Sequence, residues 1–328
     1  MTARLNEAPE HGLVVVGGPD ATSFLQSLVS QDLDAVADGT GAHSLLLSPQ
    51  GKLEIDFRAL RVADEWWLDC DSGFGARLAE RLGRYRIRVD VAIEDRTSAF
   101  ALLEVRGQEA AAHVAAATSV DVPGGNHAHA GWGSCRIVRA DWSTMPGIDI
   151  LGPAHEVRVA RDLLVAAGVE PFAPDAYEVV RIDAGVPRLG VDIDEATIPQ
   201  EAFLERDAVS FTKGCFLGQE LVCRIDSRGH VNRFLRHVDV EGPIGSGTGV
   251  PDAGAAVVLD GREVGVLTSI AAVAGEARAV GLAMVRREVE LPAVVMLRGR
   301  DGDVSATVAA LPATDSLLPA TDFGTPAG

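Results

Sequence analysis

Lysine is almost missing from this chain: of 29 basic residues only Lys52 and Lys213 are lysines, so arginine carries the positive charge nearly throughout. Cysteine is scarce as well. Cys70, Cys135, Cys215 and Cys223 form no C-x-x-C pair, which excludes a dense disulfide framework and predicts free thiols. No apolar run approaches the roughly 20 residues that cross a bilayer, and Arg4, Glu7 and Glu10 interrupt any signal-type apolar segment. The expectation is a cytoplasmic protein with no membrane partner. Basic charge is in deficit overall. A net charge of −18 repels phosphate backbones, so nucleic-acid binding would need a local basic patch.

What is present is the composition of a folded protein. With 328 residues, 47% of them hydrophobic, the chain is expected to form more than one packed unit. Apolar strand patterns at residues 13–16, 45–47, 53–57, 66–69 and 100–105 interleave with helical patterns at 76–82, 109–117, 156–167 and 175–184. Ser48-Pro49-Gln50-Gly51 supplies a hairpin turn, Ile87 to Ile93 alternates like a half-buried strand, and 121–133 reads as a loop. Trp66-Trp67 should point to opposite faces of its strand. His43, His127 and His129 read as solvated loop histidines. After about residue 232 only short strand patterns remain, with Asp260-Gly261 and Asp301-Gly302 as hairpin signals. The fold class expected is α+β: a core of mixed or antiparallel sheets with helices over 1–231, in two intertwined subdomains, a small β-barrel over 232–311, and a loose tail over 312–328.

One segment stands apart. Lys213-Gly214-Cys215-Phe216-Leu217-Gly218-Gln219-Glu220 places a thiol beside a cation and between glycines, an arrangement that lowers a thiol pKa and lets a ligand approach the backbone. Cys215 could then be a nucleophile, a transient iron or sulfur ligand, or a redox handle; the alternative is a buried cysteine acting as a small hydrophobe. From Lys213 to His237 five basic residues, Lys213, Arg224, Arg228, Arg233 and Arg236, face two acids, Glu220 and Asp226. Such a patch suits an anionic cofactor tail or a tRNA backbone, or else pairs with acids of the first unit. Cys215, Cys223 and His230 match no compact metal pattern, and Gly245-Ser246-Gly247-Thr248-Gly249 imitates a dinucleotide loop without the helix that should follow.

The eight-residue segment resembles the signature of the YgfZ family of folate-binding proteins, with every defining position filled. Further similarity lies in Gly18-Pro19-Asp20-Ala21, the 48–52 turn, Arg181-Ile182-Asp183-Ala184-Gly185 and Ile198-Pro199-Gln200-Glu201. The family is similar in fold to the T-protein of the glycine cleavage system, an aminomethyltransferase that uses tetrahydrofolate, and its members are implicated in maintaining iron–sulfur enzymes and modified tRNA. The resemblance implies tetrahydrofolate or a derivative as cofactor and iron–sulfur enzymes or their assembly factors as partners, with tRNA as a further one. It nominates Lys213 and Cys215 for chemistry, and Asp183, Gln200, Glu201, Gly214, Gly218, Gln219, Glu220 and Arg224 for the cofactor, Asp183 or Glu201 accepting from the pterin N–H groups. One departure concerns the T-protein's catalytic aspartate, whose expected place in the helix near 73–80 holds Arg77, while Asp69 and Asp71 lie earlier and give no secure replacement. Aminomethyl transfer is therefore the alternative reading, and a tRNA-associated factor the second alternative.

Overall fold

The computed structural model describes residues 2–8, 11–241, 251–300 and 302–312. The glycine-rich 245–249 stretch and nearly all of the expected tail lie outside the described residues. In chain order the first part runs β1 (Arg4–Ala8), β2 (Gly12–Gly17), α1 (Ala21–Gln26), β3 (Gly41–Leu47), β4 (Leu53–Val62), β5 (Glu65–Cys70), α2 (Gly75–Tyr85), β6 (Ala92–Asp95), β7 (Phe100–Arg106), α3 (Ala110–Thr118), β8 (His129–Trp132), β9 (Cys135–Arg139), β10 (Gly147–Pro153), α4 (Ala154–Ala166), β11 (Glu170–Pro171) and α5 (Pro174–Asp183). Two helices follow, α6 (Glu205–Ala208) and α7 (Gln219–Arg228). The remainder is β12 (Arg233–Glu241), β13 (Ala256–Leu259), β14 (Arg262–Ala272), β15 (Arg278–Arg286), β16 (Ala293–Gly299) and β17 (Gly302–Ala309).

The fold is α+β. One sheet has the order β11-β1-β7-β10-β9-β8, a second β3-β4-β5-β2-β6, and the last six strands close a barrel, β12-β15-β14-β13-β16-β17. Alternation along the strands explains how these layers stack. In β2, Val14 and Val16 face a core shared with α1, α2 and barrel residues such as Leu282, while Leu13 and Val15 face the other sheet. In β7 and β10 the same period sends Leu103, Val105, Ile148 and Ile150 toward α3 and α4, and Leu102 and Leu151 between the sheets. Both sheets are thus buried on two faces, which is why their central strands are almost continuously apolar.

Several expectations shift. Trp66 and Trp67 do point to opposite faces, yet both are buried, because the second face of β5 is covered by the other sheet; Trp67 meets Phe100 edge-on with ring centres 5.5 Å apart. The alternation at 87–93 yields a strand only from Ala92, since Arg88 takes a left-handed φ of 57° and Ile87 is left exposed. The 121–133 stretch contains β8, whose pairing comes from its neighbour β9 rather than from its own propensity. The histidines are held by the fold rather than free in solvated loops, His129 buried and His43 and His127 half-buried. His129 is buried and donates to the Arg61 carbonyl at 3.0 Å, and burial pushes His127 down to about 3. His43 lies between Asp56 and Asp207; burial opposes its charge, but the two carboxylates raise its pKa well above the ordinary value.

Candidate functional site

The face between the two sheets is apolar at one end and ionic at the other. Arg58 on β4 sits opposite Asp69 on β5, and Asp149 on β10 opposite Glu104 on β7, all on the inter-sheet side of their strands. They join into one chain of ion pairs across the sheets. Arg58 donates to Asp69 at 2.5 Å and to Asp149 at 2.8 Å; Arg106 donates to Asp149 at 2.7 Å and to Glu104 at 2.8 Å. Glu104 accepts in addition from Asn6 and from the Tyr177 hydroxyl, each at 2.7 Å. Burial opposes the charges of Arg58, Arg106 and Asp149, but their partners win: Arg58 and Arg106 are raised, and Asp149 is held below the usual carboxylate range. Gly147, opposite Arg106 in the ladder, is required by this arrangement, because a Cβ there would come within 2.6 Å of the guanidinium Nη1.

Where this ionic end opens, the chain forms a cavity of about 680 Å³ that is partly open to solvent. Its wall is assembled from distant segments: Asn6, Glu7 and Ala8 of β1, His11, residues Asp71, Ser72 and Phe74 between β5 and α2, Leu102 and Glu104 of β7, Tyr177 of α5, and Arg188 to Val191. The Asp71 carboxylate accepts the Leu189 N–H at 2.7 Å, and burial holds it above the ordinary range. Tyr177, between Phe172 and Trp142, is kept as a phenol, burial and Glu104 both raising its pKa. Arg188 pairs with Glu178, and burial is outweighed by that carboxylate, so it stays charged.

The barrel fixes the last of these segments. Buried Arg181 donates to the Val186 carbonyl at 2.6 Å, to Asp192 at 2.9 Å and to the Ser269 hydroxyl of β14 at 3.0 Å. Asp192 accepts from Thr268 and Ser269, each at 2.6 Å, and from the Arg188 N–H at 3.0 Å. Segment 185–193 is therefore pinned between α5 and the barrel, and it presents Arg188 and Leu189 to the cavity.

The residues nominated from sequence lie elsewhere. Asp183 faces the barrel, 3.3 Å from His237 and 3.7 Å from Arg278. Glu201 is buried against Arg233 at 3.0 Å, and Gln200 donates to the Val222 carbonyl at 3.0 Å. Lys213 is half-buried, its Nζ donating to the carbonyls of Gln26, Val29 and Gln31, each at 2.8 Å, which uses the full complement of an ammonium. Burial pushes it down to about 8. Gly214 has open space around it, Cys215 is exposed and Phe216 is buried. Gly218, at φ 79°, starts α7; a Cβ there would collide with the Ser48 carbonyl and lie 3.0 Å from Gly51 Cα, so the signature packs directly on the 48–51 turn. Gln219 and Glu220 open α7, and Arg224 lies exposed along it. None of these residues lines the cavity.

Arg58, Glu104, Asp149, Tyr177 and Arg188 were missed in the sequence reading. The available signal was charge at every second position inside apolar strands, as in Asp56 and Arg58 of β4 or Glu104 and Arg106 of β7, a pattern that places polar groups on one buried face. Among the described residues no group of histidine, cysteine and carboxylates is arranged to hold a metal, and no helix is long and apolar enough to cross a membrane.

Comparisons with known proteins agree with this architecture. The GCVT N-terminal domain profile matches residues 2–213. The aminomethyltransferase of Rubrobacter xylanophilus is 28% identical over 316 residues, covering 94% of this chain and 82% of its own length. That of Bordetella parapertussis is 31% identical over 284 residues, covering 77% and 75%. The crystal structure of glycine cleavage system aminomethyltransferase T from Bartonella henselae superposes with a TM-score of 0.81 at 23% identity, covering 94% of this chain and 86% of that one, a likeness of fold. With the profile spanning well over half of its residues, the chain belongs to the GCVT family.

Proposed function

We propose that this chain binds a reduced folate, tetrahydrofolate or a derivative, in the cavity between its two sheets. The observation that carries the reading is the composition of that cavity within a GCVT-family fold. A folate needs acceptors for its pterin N–H groups, apolar walls for flat rings and a cation for its glutamate tail. Asp71 and Glu104 are the acceptors, Phe74, Leu102 and Leu189 the apolar walls, and Arg188 the cation. A volume of about 680 Å³ falls within the range of small-molecule sites. Equilibrium dialysis against tetrahydrofolate under anaerobic conditions tests this: saturable uptake is expected, and it should be abolished in Arg188→Glu.

Aminomethyl transfer is the chemistry that the relatives' names favour. Tetrahydrofolate supplies the nitrogens that accept a one-carbon unit. The protein's share would be a carboxylate that handles a proton beside them, and Asp71 fits: it lines the cavity, is held above the ordinary carboxylate range by burial, and accepts only one N–H among the described residues. Methylene-tetrahydrofolate formation from an aminomethyl-lipoyl carrier protein, abolished in Asp71→Asn while folate is still bound, is the expected result.

A second reading, a YgfZ-type protein that binds folate in support of iron–sulfur enzymes, including tRNA-modifying ones, is favoured by two observations. Arg77, at the place of the T-protein's aspartate, lies away from the cavity lining and pairs with Glu195 at 2.7 Å. Lys213, Phe216 and Gly218 are all held by the fold, so the signature anchors a short loop and leaves Cys215 exposed on it. Folate binding without methylene-tetrahydrofolate formation, together with loss of iron–sulfur enzyme activity in a deletion strain carrying Cys215→Ala, would decide for this reading.

A further inference from the structure

Arginines in this acidic chain usually find a carboxylate: Arg58, Arg77, Arg106, Arg139, Arg181, Arg188, Arg233 and Arg278 all do. Arg206 and Arg236 are among the arginines that do not. Among the described residues neither guanidinium has an ion pair or a hydrogen bond, although they lie close to one another. Phe203 and Phe234 stack with ring centres 5.3 Å apart and planes 9° from parallel. Arg206 sits over Phe203 at 4.4 Å, and Arg236 over Phe234 at 4.7 Å and over Phe203 at 5.5 Å. Burial first, and then the charge of Arg206, lower the Arg236 pKa, as expected of like charges brought together without an anion.

The backbone is specialised at the same point. Phe203 holds φ at 60°, a left-handed conformation disfavoured for an aromatic residue, and this places its ring in the stack. Among the described residues, nearby Glu205 makes no ion pair with either guanidinium. Burial raises its carboxyl to about 7, and one of its oxygens is buried with no hydrogen-bond partner. On α7, Arg224 and Arg228 are exposed and also without ion pairs among the described residues, so positive charge extends beyond the stack.

We propose that Arg206 and Arg236, held on the Phe203–Phe234 stack, form a phosphate-binding site that is separate from the folate cavity. Two planar forks anchored on rings have little freedom left to lose on binding and present paired donors, the geometry that phosphate oxygens accept bidentately. The flanking arginines of α7 favour a ligand with more than one phosphate. An RNA backbone and a free polyphosphate share that chemistry, and the test separates them.

The full chain is titrated with pyrophosphate and, separately, with a short oligouridylate, followed by calorimetry and fluorescence anisotropy at low and moderate salt. The expected result is saturable binding of at least one probe that weakens as salt rises, and roughly tenfold or greater weakening in Arg206→Gln/Arg236→Gln. The charge-matched control Arg158→Gln/Arg262→Gln, which removes two exposed arginines elsewhere, is expected to bind as the wild type does. Preference for pyrophosphate assigns a small ligand; preference for the oligonucleotide assigns RNA. Absence of binding to both probes, or equal weakening in the two double variants, overturns the site. Should Arg206→Gln/Arg236→Gln fail to fold, Arg206→Lys/Arg236→Lys keeps the charge but loses the fork, and wild-type affinity in that variant overturns the proposal equally.

Discussion

Replacing Asp149 with leucine removes the acceptor shared by Arg58 and Arg106 and leaves two buried guanidiniums under-paired. Breaking a buried pair by deleting one partner costs about 3–5 kcal/mol, a large part of the stability of an ordinary domain, so urea unfolding should show a correspondingly lower midpoint. Asp149→Asn keeps an acceptor and should lose less. Lys213→Met abandons the carbonyls of Gln26, Val29 and Gln31 together, and hydrogen bonds to a charged group are worth roughly 1.5–3 kcal/mol each in net terms. Arginine should not rescue it, since a planar fork cannot point at three converging oxygens as an ammonium does. Lys213 is one of only two lysines, and the three convergent carbonyls call for an ammonium at this position. The charges buried inside β4, β5, β7 and β10 were equally visible, but strand alternation alone does not say that a second sheet covers the polar face.

At the scale of elements, His43 ties the β3–β4 hairpin to α6 through Asp56 and Asp207. Its folded pKa is raised, so its contribution is fully present below the unfolded value of about 6.5 and is lost as pH rises through the folded value. His127 has the opposite sign. It is half-buried and neutral with a pKa of about 3, so its contribution is present at neutral pH and is lost as pH falls from about 6.5 toward 3. Urea midpoints measured between about pH 6.5 and 8 should therefore decline, and His43→Asn should flatten that decline. The start of α7 offers another check. Gly218→Ala forces a side chain into a left-handed residue and against the Ser48 carbonyl, and it should cost about 2 kcal/mol or more while displacing the Cys215 loop, seen as altered thiol labelling. The glycines of the signature were legible as close approaches. What approaches proved to be the 48–51 turn, and the helix that follows was hidden by the motif's short apolar content.

For the whole molecule, the division into an α+β core and a C-terminal barrel was readable because strand spacing and turn residues change character near residue 232. The cavity was not readable. Its lining comes from β1, the β5–α2 junction, β7, α5 and the 188–191 segment, which meet only after the sheets stack and the barrel clamps Arg181 and Asp192. Contacts between residues some 180 positions apart leave no local pattern, so nomination fell on the one compact motif, Lys213 to Glu220. The most direct test of a folate site is anaerobic calorimetry of tetrahydrofolate binding to the wild type and to Ser72→Trp, which fills the cavity from an exposed position and should leave the fold intact. Saturable 1:1 binding by the wild type and its loss in Ser72→Trp is the predicted result; no saturable binding, or binding unchanged by the tryptophan, would contradict it.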